Sequence, residues 1–172
     1  MSSCSSAYIT PNGRGRIPNG LKAVRDVFRR KPELGTKGRT RSNQVLADVK
    51  PDLEAKGFAT SQKIQLECTR HNGKKKGFNI DAVLRKGKKS EVFVEIEAGR
   101  TIPNNAYLLD LIKALACGVK YLVLAVPHQY KADEPYNEVL VFVKHLLQAT
   151  PLNEVGIKGV LVIGYGPKKE KK

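Results

Sequence analysis

Two short segments rich in apolar and β-branched residues, 78–84 and 91–97, constrain the fold more than any other part of this sequence. A basic turn, residues 85–90 with Gly87 near its centre, joins them in the pattern of a β-hairpin. Side chains alternate between the two faces of a strand, so Glu95 and Glu97 share a face. A hairpin that turns near Gly87 brings Asp81 close to Glu95. The sequence therefore predicts that three carboxylates meet in a chain of net charge +15.

The predicted group of Asp81, Glu95 and Glu97 has two interpretations. Like charges this close are unfavourable unless a cation neutralises them, and a hard divalent ion with oxygen ligands suits three carboxylates. Mg2+ is the ion we predict, with Mn2+ as the alternative. Acidic residues on a half-buried strand are also common on an ordinary solvent-exposed face. The apolar residues around all three carboxylates favour the metal site.

The hairpin resembles the motif of the PD-(D/E)XK nuclease superfamily, which has the restriction-endonuclease-like fold. The matching residues are Ile80-Asp81 and Val94-Glu95-Ile96-Glu97. The resemblance implies that Asp81 and Glu95 bind the metal together with the backbone carbonyl of Ile96. The family usually has lysine where this chain has Glu97, as in a subset of restriction endonucleases with a Glu-x-Glu ending. Glu97 is therefore a catalytic candidate, and the identity of the general base stays open.

Hydrophobic periodicity places the remaining elements around this hairpin. A helix begins at Ser42, capped by Ser42 or Asn43, with a kink or break near Lys50 caused by Pro51 and a stop at Gly57. Further strands are predicted over 63–69, 120–126 and 159–165, and further helices over 106–116 and 136–149. The order αβββαβαβ over about residues 40–165 predicts an α/β fold with a restriction-endonuclease-like core, a mixed central sheet flanked by helices.

The helix predicted over residues 106–116 carries a charged pair, Asp110 and Lys113. Its predicted core stripe consists of Leu108, Leu109, Ile112, Leu115 and Ala116. Asp110 and Lys113 then share the opposite face, where we expect a surface salt bridge. The resemblance adds a second interpretation, because in some nuclease relatives a basic residue of this helix replaces the missing motif lysine. Lys113 is therefore a further catalytic candidate.

We divide the chain into a basic N-terminal arm (1–38), a nuclease-like α/β domain (39–167) and a basic tail (168–172). The arm contains turn signals and a pattern for a short helix over residues 21–30. It either tracks the phosphates of a nucleic acid or is a solvated tail.

Lys and Arg number 31 against 16 Asp and Glu, which favours a polyanionic partner. The residues predicted to contact nucleic acid are Arg14, Arg16, Arg39, Arg41, Lys74, Lys75, Lys76 and Arg100. No apolar run is long enough to span a membrane, so no membrane partner is expected. Three cysteines without paired spacing and an N-terminus unlike a signal peptide lead us to expect an intracellular, cytoplasmic protein.

Together these features predict a magnesium-dependent endonuclease that hydrolyses DNA. Its role stays open between restriction, repair and transposition. The preference for DNA over RNA comes from the resemblance, and double-strand cutting would require a homodimer. Two alternatives stay open. One is a catalytically inactive nucleic-acid-binding protein of the same fold, and the other is a basic RNA-binding structural protein. A group of carboxylates at the centre of the hairpin argues against the second, since a face that only binds phosphate would not gather acids.

Overall fold

The computed structural model describes residues 4–13, 15–35, 41–69, 75–98, 101–102, 104–131, 133–149 and 156–168. Within these ranges a six-stranded mixed sheet has the order β1-β6-β5-β4-β3-β2. The strands are β1 (Ser5–Ile9), β2 (Ala59–Thr69), β3 (Lys75–Lys86), β4 (Lys89–Ile96), β5 (Tyr121–Pro127) and β6 (Gly159–Tyr165). The helices are α1 (Asn19–Arg29), α2 (Ser42–Glu54), α3 (Ala106–Ala116) and α4 (Pro135–Ala149).

Strand β4 lies where the sheet changes from antiparallel to parallel pairing. It pairs antiparallel with β3 and parallel with β5, while β5 and β6 are parallel and β1 is antiparallel to β6. Helices cover both faces, which explains why β5 and β6 are near-continuous apolar runs. The order from α2 to β6 is αβββαβαβ, so the predicted fold class is confirmed.

The side-chain alternation of β4 decides which helices face the acidic residues. Val92, Val94 and Ile96 belong to the core formed with α1 and α2, whereas Phe93 belongs to the core formed with α3 and α4. Glu95 follows Phe93 by two residues and therefore points to the α3 side. This arrangement brings the carboxylate of β4 towards the charged pair of α3.

Among the first 38 residues, Ser5–Ile9 and Asn19–Arg29 contribute a strand to the sheet and a helix to its core, which differs from the predicted arm. Strand β1 pairs with β6 from Ser5–Gly164 to Ile9–Val160. Helix α1 buries Leu21, Val24, Val27 and Phe28, as its predicted pattern indicates. The strand escapes a sequence-based prediction because its five residues have only a weak alternation and depend on backbone pairing with a distant strand. The boundary between residues 38 and 39 stays a prediction.

The sequence predicts a kink or a break near Lys50. Helix α2 runs without interruption through Pro51 to Glu54, so a break there is wrong, and a kink stays a prediction. Its N-cap is Arg41 rather than Ser42 or Asn43, and the Arg41 backbone N–H donates to Gln44 Oε1 at 2.9 Å. The predicted stop at Gly57 is confirmed: Gly57 has φ +83°, and the N–H of Phe58 donates to Leu53 O at 3.1 Å. In the described part of the chain no helix is long and apolar enough to cross a membrane.

Candidate active site

Asp81 and Glu95 face each other where strands β3 and β4 stop pairing along their backbones. The register runs from Lys86–Lys89 to Ala82–Val94, and Asp81 and Glu95 are the next residues on the two strands. Side chains continue the contact beyond that point: the Ile96 N–H donates to Asp81 Oδ2 at 2.8 Å, and the Asp81 N–H lies 3.4 Å from Glu95 Oε2. The predicted proximity of these two carboxylates is therefore confirmed.

The backbone of Glu97 is fixed by two hydrogen bonds from different strands. Its N–H donates to Ala125 O at 2.8 Å, and the hydroxyl of Tyr165 donates to its carbonyl at 2.5 Å. Its side chain lies on the same face as Glu95, as the alternation predicts. Both glutamates are thus presented by a backbone that is held on the side of β5 and β6.

Helix α3 is rotated about its own axis relative to the predicted orientation, so that a different face is buried. The predicted core residues Leu109 and Ile112 are 52% and 56% exposed, whereas Asp110 is only 1% exposed. The residues of α3 that are buried are Tyr107, Asp110, Leu111 and Ala114. The predicted core stripe is therefore wrong at Leu109 and Ile112, and the face that carries Asp110 points into the protein.

Lys113 joins Asp110 to Glu95. Its Nζ donates to Asp110 Oδ1 at 2.7 Å and to Glu95 Oε1 at 3.1 Å. Its side chain is 15% exposed, against 2% for Asp110 and 5% for Glu95. The predicted surface salt bridge is therefore wrong, because the ion pair is buried and includes a carboxylate of β4. We call the five residues Asp81, Glu95, Glu97, Asp110 and Lys113 the acidic cluster.

Burial and mutual repulsion make the acidic cluster hard to ionise fully. Burial, with the charge of Asp110 next in size, raises the pKa of Glu95 and of Glu97 to about 8. Burial also raises the pKa of Asp81 and of Asp110. For Lys113, burial alone would lower the pKa, but Glu95 and Asp110 outweigh it and raise the pKa to about 12. The single ammonium therefore stays charged and does not neutralise all four acids.

Asp110 is the member of the cluster that sequence reasoning missed as a site residue. Its Oδ2 is buried without a hydrogen-bond partner among the described residues. When Asp110 and Glu97 are both ionised neither can donate, whereas a proton on Glu97 allows it to donate to Asp110. The sequence does contain a signal: apart from Asp110 and Lys113, α3 has no charged residue. A helix that is apolar almost all round tends to be buried on most sides, which makes an inward charged pair plausible.

The chemistry of the acidic cluster suits a hard cation. Carboxylate oxygens are the ligands that magnesium prefers, and among the described residues Asp110 Oδ2 is a buried oxygen with no hydrogen-bond donor as long as Glu97 is ionised. Across the described ranges, however, no three side chains of acidic, histidine or cysteine type converge as a preformed metal cage would require. The Lys113 ammonium already lies between two of these carboxylates, since it contacts Glu95 and Asp110 directly. A cation that binds Glu95 Oε1 would compete with Lys113 for it.

Half of the residues predicted to contact nucleic acid lie outside the described residues. Arg16 and Arg41 are described, and both are exposed. Arg14, Arg39, Lys74 and Arg100 fall outside the described ranges. Lys75 and Lys76 begin β3, but their side chains are not described. The predicted nucleic-acid contacts therefore stay predictions.

Comparison with solved structures supports the fold. The chain is similar to the crystal structure of the restriction endonuclease BglII complexed with a DNA 16-mer, with a TM-score of 0.56, 15% identity, and coverage of 98% of this chain and 78% of that one. It is also similar to free BglII, with a TM-score of 0.54, 14% identity, and coverage of 98% and 81%. No protein-family model matches the sequence, and no curated protein matches it. The likeness extends over nearly the whole chain, so the fold is restriction-endonuclease-like.

Proposed function

We propose that this protein is a magnesium-dependent endonuclease that hydrolyses DNA phosphodiester bonds. The observation that carries the proposal is the meeting of Asp81 and Glu95 where β3 and β4 stop pairing, with Lys113 in contact with Glu95. Burying several ionised carboxylates around one ammonium is unfavourable, and a further cation at this site would relieve that cost. The restriction-endonuclease-like fold and the net charge of +15 support the same conclusion.

Asp81 and Glu95 would hold the magnesium ion together with the backbone carbonyl of Ile96, and Mn2+ would be accepted in its place. Magnesium, when bound, supplies positive charge to the scissile phosphate and lowers the pKa of the attacking water. The protein's own contribution is to orient the ligands. The Ile96 N–H fixes one oxygen of Asp81 at 2.8 Å, so the rotation of that carboxylate is restricted before a metal binds.

Glu97 would act on the proton of the attacking water, and Lys113 would balance negative charge on the phosphate. Glu97 would orient or deprotonate the attacking water, and its raised pKa of about 8 lies close to a working pH, as suits a general base. Lys113 would remain charged and stabilise the phosphate as negative charge develops. Asp110 would keep Lys113 in place by its 2.7 Å contact when a metal draws Glu95 away.

DNA is the substrate we favour, because the similar BglII structure is described as complexed with DNA. Phosphate contacts from Arg16, Arg41 and the other predicted basic residues would give salt-dependent affinity. A homodimer is part of the proposal, since one subunit has one cleavage site and would cut one strand at a time. A monomer in sedimentation, with and without DNA, would remove the dimer and favour nicking.

The deciding experiment is incubation with supercoiled plasmid and magnesium. We expect nicked or linear plasmid from the wild type and none from Asp81→Asn, which keeps the shape of the side chain but removes its charge. Glu91→Gln is the matched control: Glu91 is on the same strand as Glu95, but its carboxylate pairs loosely with Lys120, at 3.9 Å. Equal cutting by wild type and Asp81→Asn would show that the site is wrong. If the protein binds DNA in a salt-sensitive way but does not cut it with any divalent ion, the catalytically inactive nucleic-acid-binding protein is favoured. If it prefers RNA and Asp81→Asn does not change that binding, the basic RNA-binding structural protein is favoured.

A further inference from the structure

A groove of about 400 Å3 has Asp81 in its lining. One wall is a single face of α2, because its lining residues are spaced i, i+3, i+4 and i+7. The other wall is formed by β2 and β3. The lining residues that matter here are Asn43, Leu46, Ala47 and Lys50 from α2, with Ser61, Asn79 and Asp81 from the sheet.

The position of Ser61 shows how the groove meets the acidic cluster. The pairs Thr60–Ala82 and Gln62–Ile80 flank it in the register of β2 with β3, so Ser61 lies opposite Asp81. Ser61 has φ +51°, a left-handed conformation that costs a residue other than glycine about 1 kcal/mol or more. Asp81 therefore has β2, with its irregular backbone at Ser61, on one side and Glu95 of β4 on the other. Strained backbone of this kind is typical of functional sites.

The groove combines an apolar wall with donors at its rim. Leu46 is half-buried, whereas Asn43, Lys50, Ser61 and Asn79 are exposed and carry amide, ammonium and hydroxyl groups. Among the described residues the Lys50 ammonium has a loose partner, Glu54 Oε1 at 3.8 Å, and both side chains are nearly half exposed. Such surface pairs contribute little, so Lys50 can exchange Glu54 for another anion at small cost. A nucleotide unit matches this surface, because its sugar is partly apolar and its phosphate is an anion.

We propose that this groove binds the nucleotide next to the cleaved bond, with Lys50 in contact with a flanking phosphate. The proposal rests on the proposed function in one respect, since it takes Asp81 to mark the cleaved phosphate. Lys50 is not part of the acidic cluster. It should therefore affect how tightly DNA binds and not the rate of the chemical step.

The test compares Lys50→Ala with Lys56→Ala, which removes an exposed lysine just beyond the end of α2 and away from the groove lining. Binding of a short DNA duplex is measured by fluorescence anisotropy without divalent metal, between about 50 and 200 mM salt. We expect Lys50→Ala to raise Kd about 5- to 10-fold, with little change for Lys56→Ala. The dependence of log Kd on log salt concentration should also become weaker in Lys50→Ala, by the amount expected for the loss of about one phosphate contact. At saturating DNA the cleavage rate of Lys50→Ala should equal that of the wild type.

A second variant tests the volume of the groove rather than its charge. Ala47 is exposed on the groove wall, and Ala47→Phe should fill the groove and weaken binding without removing a charge. Equal affinities for wild type, Lys50→Ala and Ala47→Phe would overturn the proposal. If the wild type binds DNA but does not cut it, the proposed function fails while the comparison of these variants still decides the groove. A wild type that binds no DNA would overturn both.

Discussion

The folding free energy of this protein should fall as the pH rises from about 5 to 8, and magnesium should reverse that fall. The cause is the raised pKa of Glu95 and Glu97, about 8 in the folded protein against an ordinary value of 4.5. Between these values the folded state binds more protons than the unfolded state. Its stability is therefore complete below about pH 4.5 and is lost as the pH rises through about 8. This sign is opposite to that of a carboxylate that is stabilised in its ionised form.

The size of the effect follows from the size of the pKa shift. At about 1.4 kcal/mol per pH unit, one carboxyl shifted from 4.5 to about 8 loses up to about 5 kcal/mol of folding free energy across that interval. Glu95 and Glu97 are close enough to titrate together, so their contributions do not add. Counting the coupled pair as one shifted carboxyl, we expect a loss of about 4 kcal/mol between about pH 5 and 8, which is large against a typical total of about 5–15 kcal/mol. For a chain of this length it corresponds to a fall in Tm of roughly 5–15 °C.

Thermal unfolding should be followed by calorimetry at several pH values from about 5 to 8, with a chelator or with millimolar magnesium. Histidines also titrate in this range, so the informative quantity is the difference between the wild type and Glu95→Gln. Without metal the wild type should lose stability relative to Glu95→Gln as the pH rises. With magnesium the wild type should gain most at the higher pH, because the ion binds the ionised carboxylates.

Two outcomes would refute this reasoning. If the difference in stability between wild type and Glu95→Gln does not change from pH 5 to 8, burial does not oppose the ionisation of these carboxylates. If the stabilisation by magnesium does not grow with pH, the ion does not bind these carboxylates. Glu91→Gln serves as the control, since Glu91 is more exposed and only loosely paired, so its removal should leave both curves unchanged.

Three further variants separate the roles within the acidic cluster. Glu97→Gln should keep most of the stabilisation by magnesium, while plasmid cleavage falls about 100-fold or more, as expected for loss of a general base. Full activity of this variant would contradict that role. Lys113→Met removes the cation that competes for Glu95, so calorimetric titration should show tighter magnesium binding together with loss of cleavage; weaker binding would contradict the competition. Asp110→Asn should reduce cleavage while the Tm near pH 8 stays the same or rises, because one of four mutually repelling acids is gone; a large fall in Tm would indicate a purely structural role.

The hairpin and the opposition of Asp81 to Glu95 could be predicted from the sequence because both depend on local rules. Strand periodicity fixes the face of each side chain, and a glycine at the turn fixes the register. Gly87 does have a positive φ of +61°, and Asp81 and Glu95 are adjacent across the two strands. The order of elements from α2 to β6 could be predicted for the same reason, since each of these helices and strands carries its own pattern.

The rest of the site depends on contacts between distant segments. Strand β1 has little pattern of its own and is specified by pairing with β6, more than 150 residues later. The contact of Lys113 with Glu95 requires knowing how α3 is rotated about its axis. Periodicity cannot give that rotation when a helix is apolar almost all round, because several faces satisfy the same pattern.

The ion pair itself explains which face of α3 turns inward. Turning Leu109 and Ile112 outward sacrifices burial of about 1.5–3 kcal/mol for each side chain. Burying Tyr107 and Leu111 in their place recovers most of that, so the net hydrophobic difference between the two rotations is small. Leaving Glu95 buried without Lys113 would cost about 3–5 kcal/mol. The electrostatic term is therefore the larger one, and the carboxylates of β4 select the rotation of the helix that packs on them.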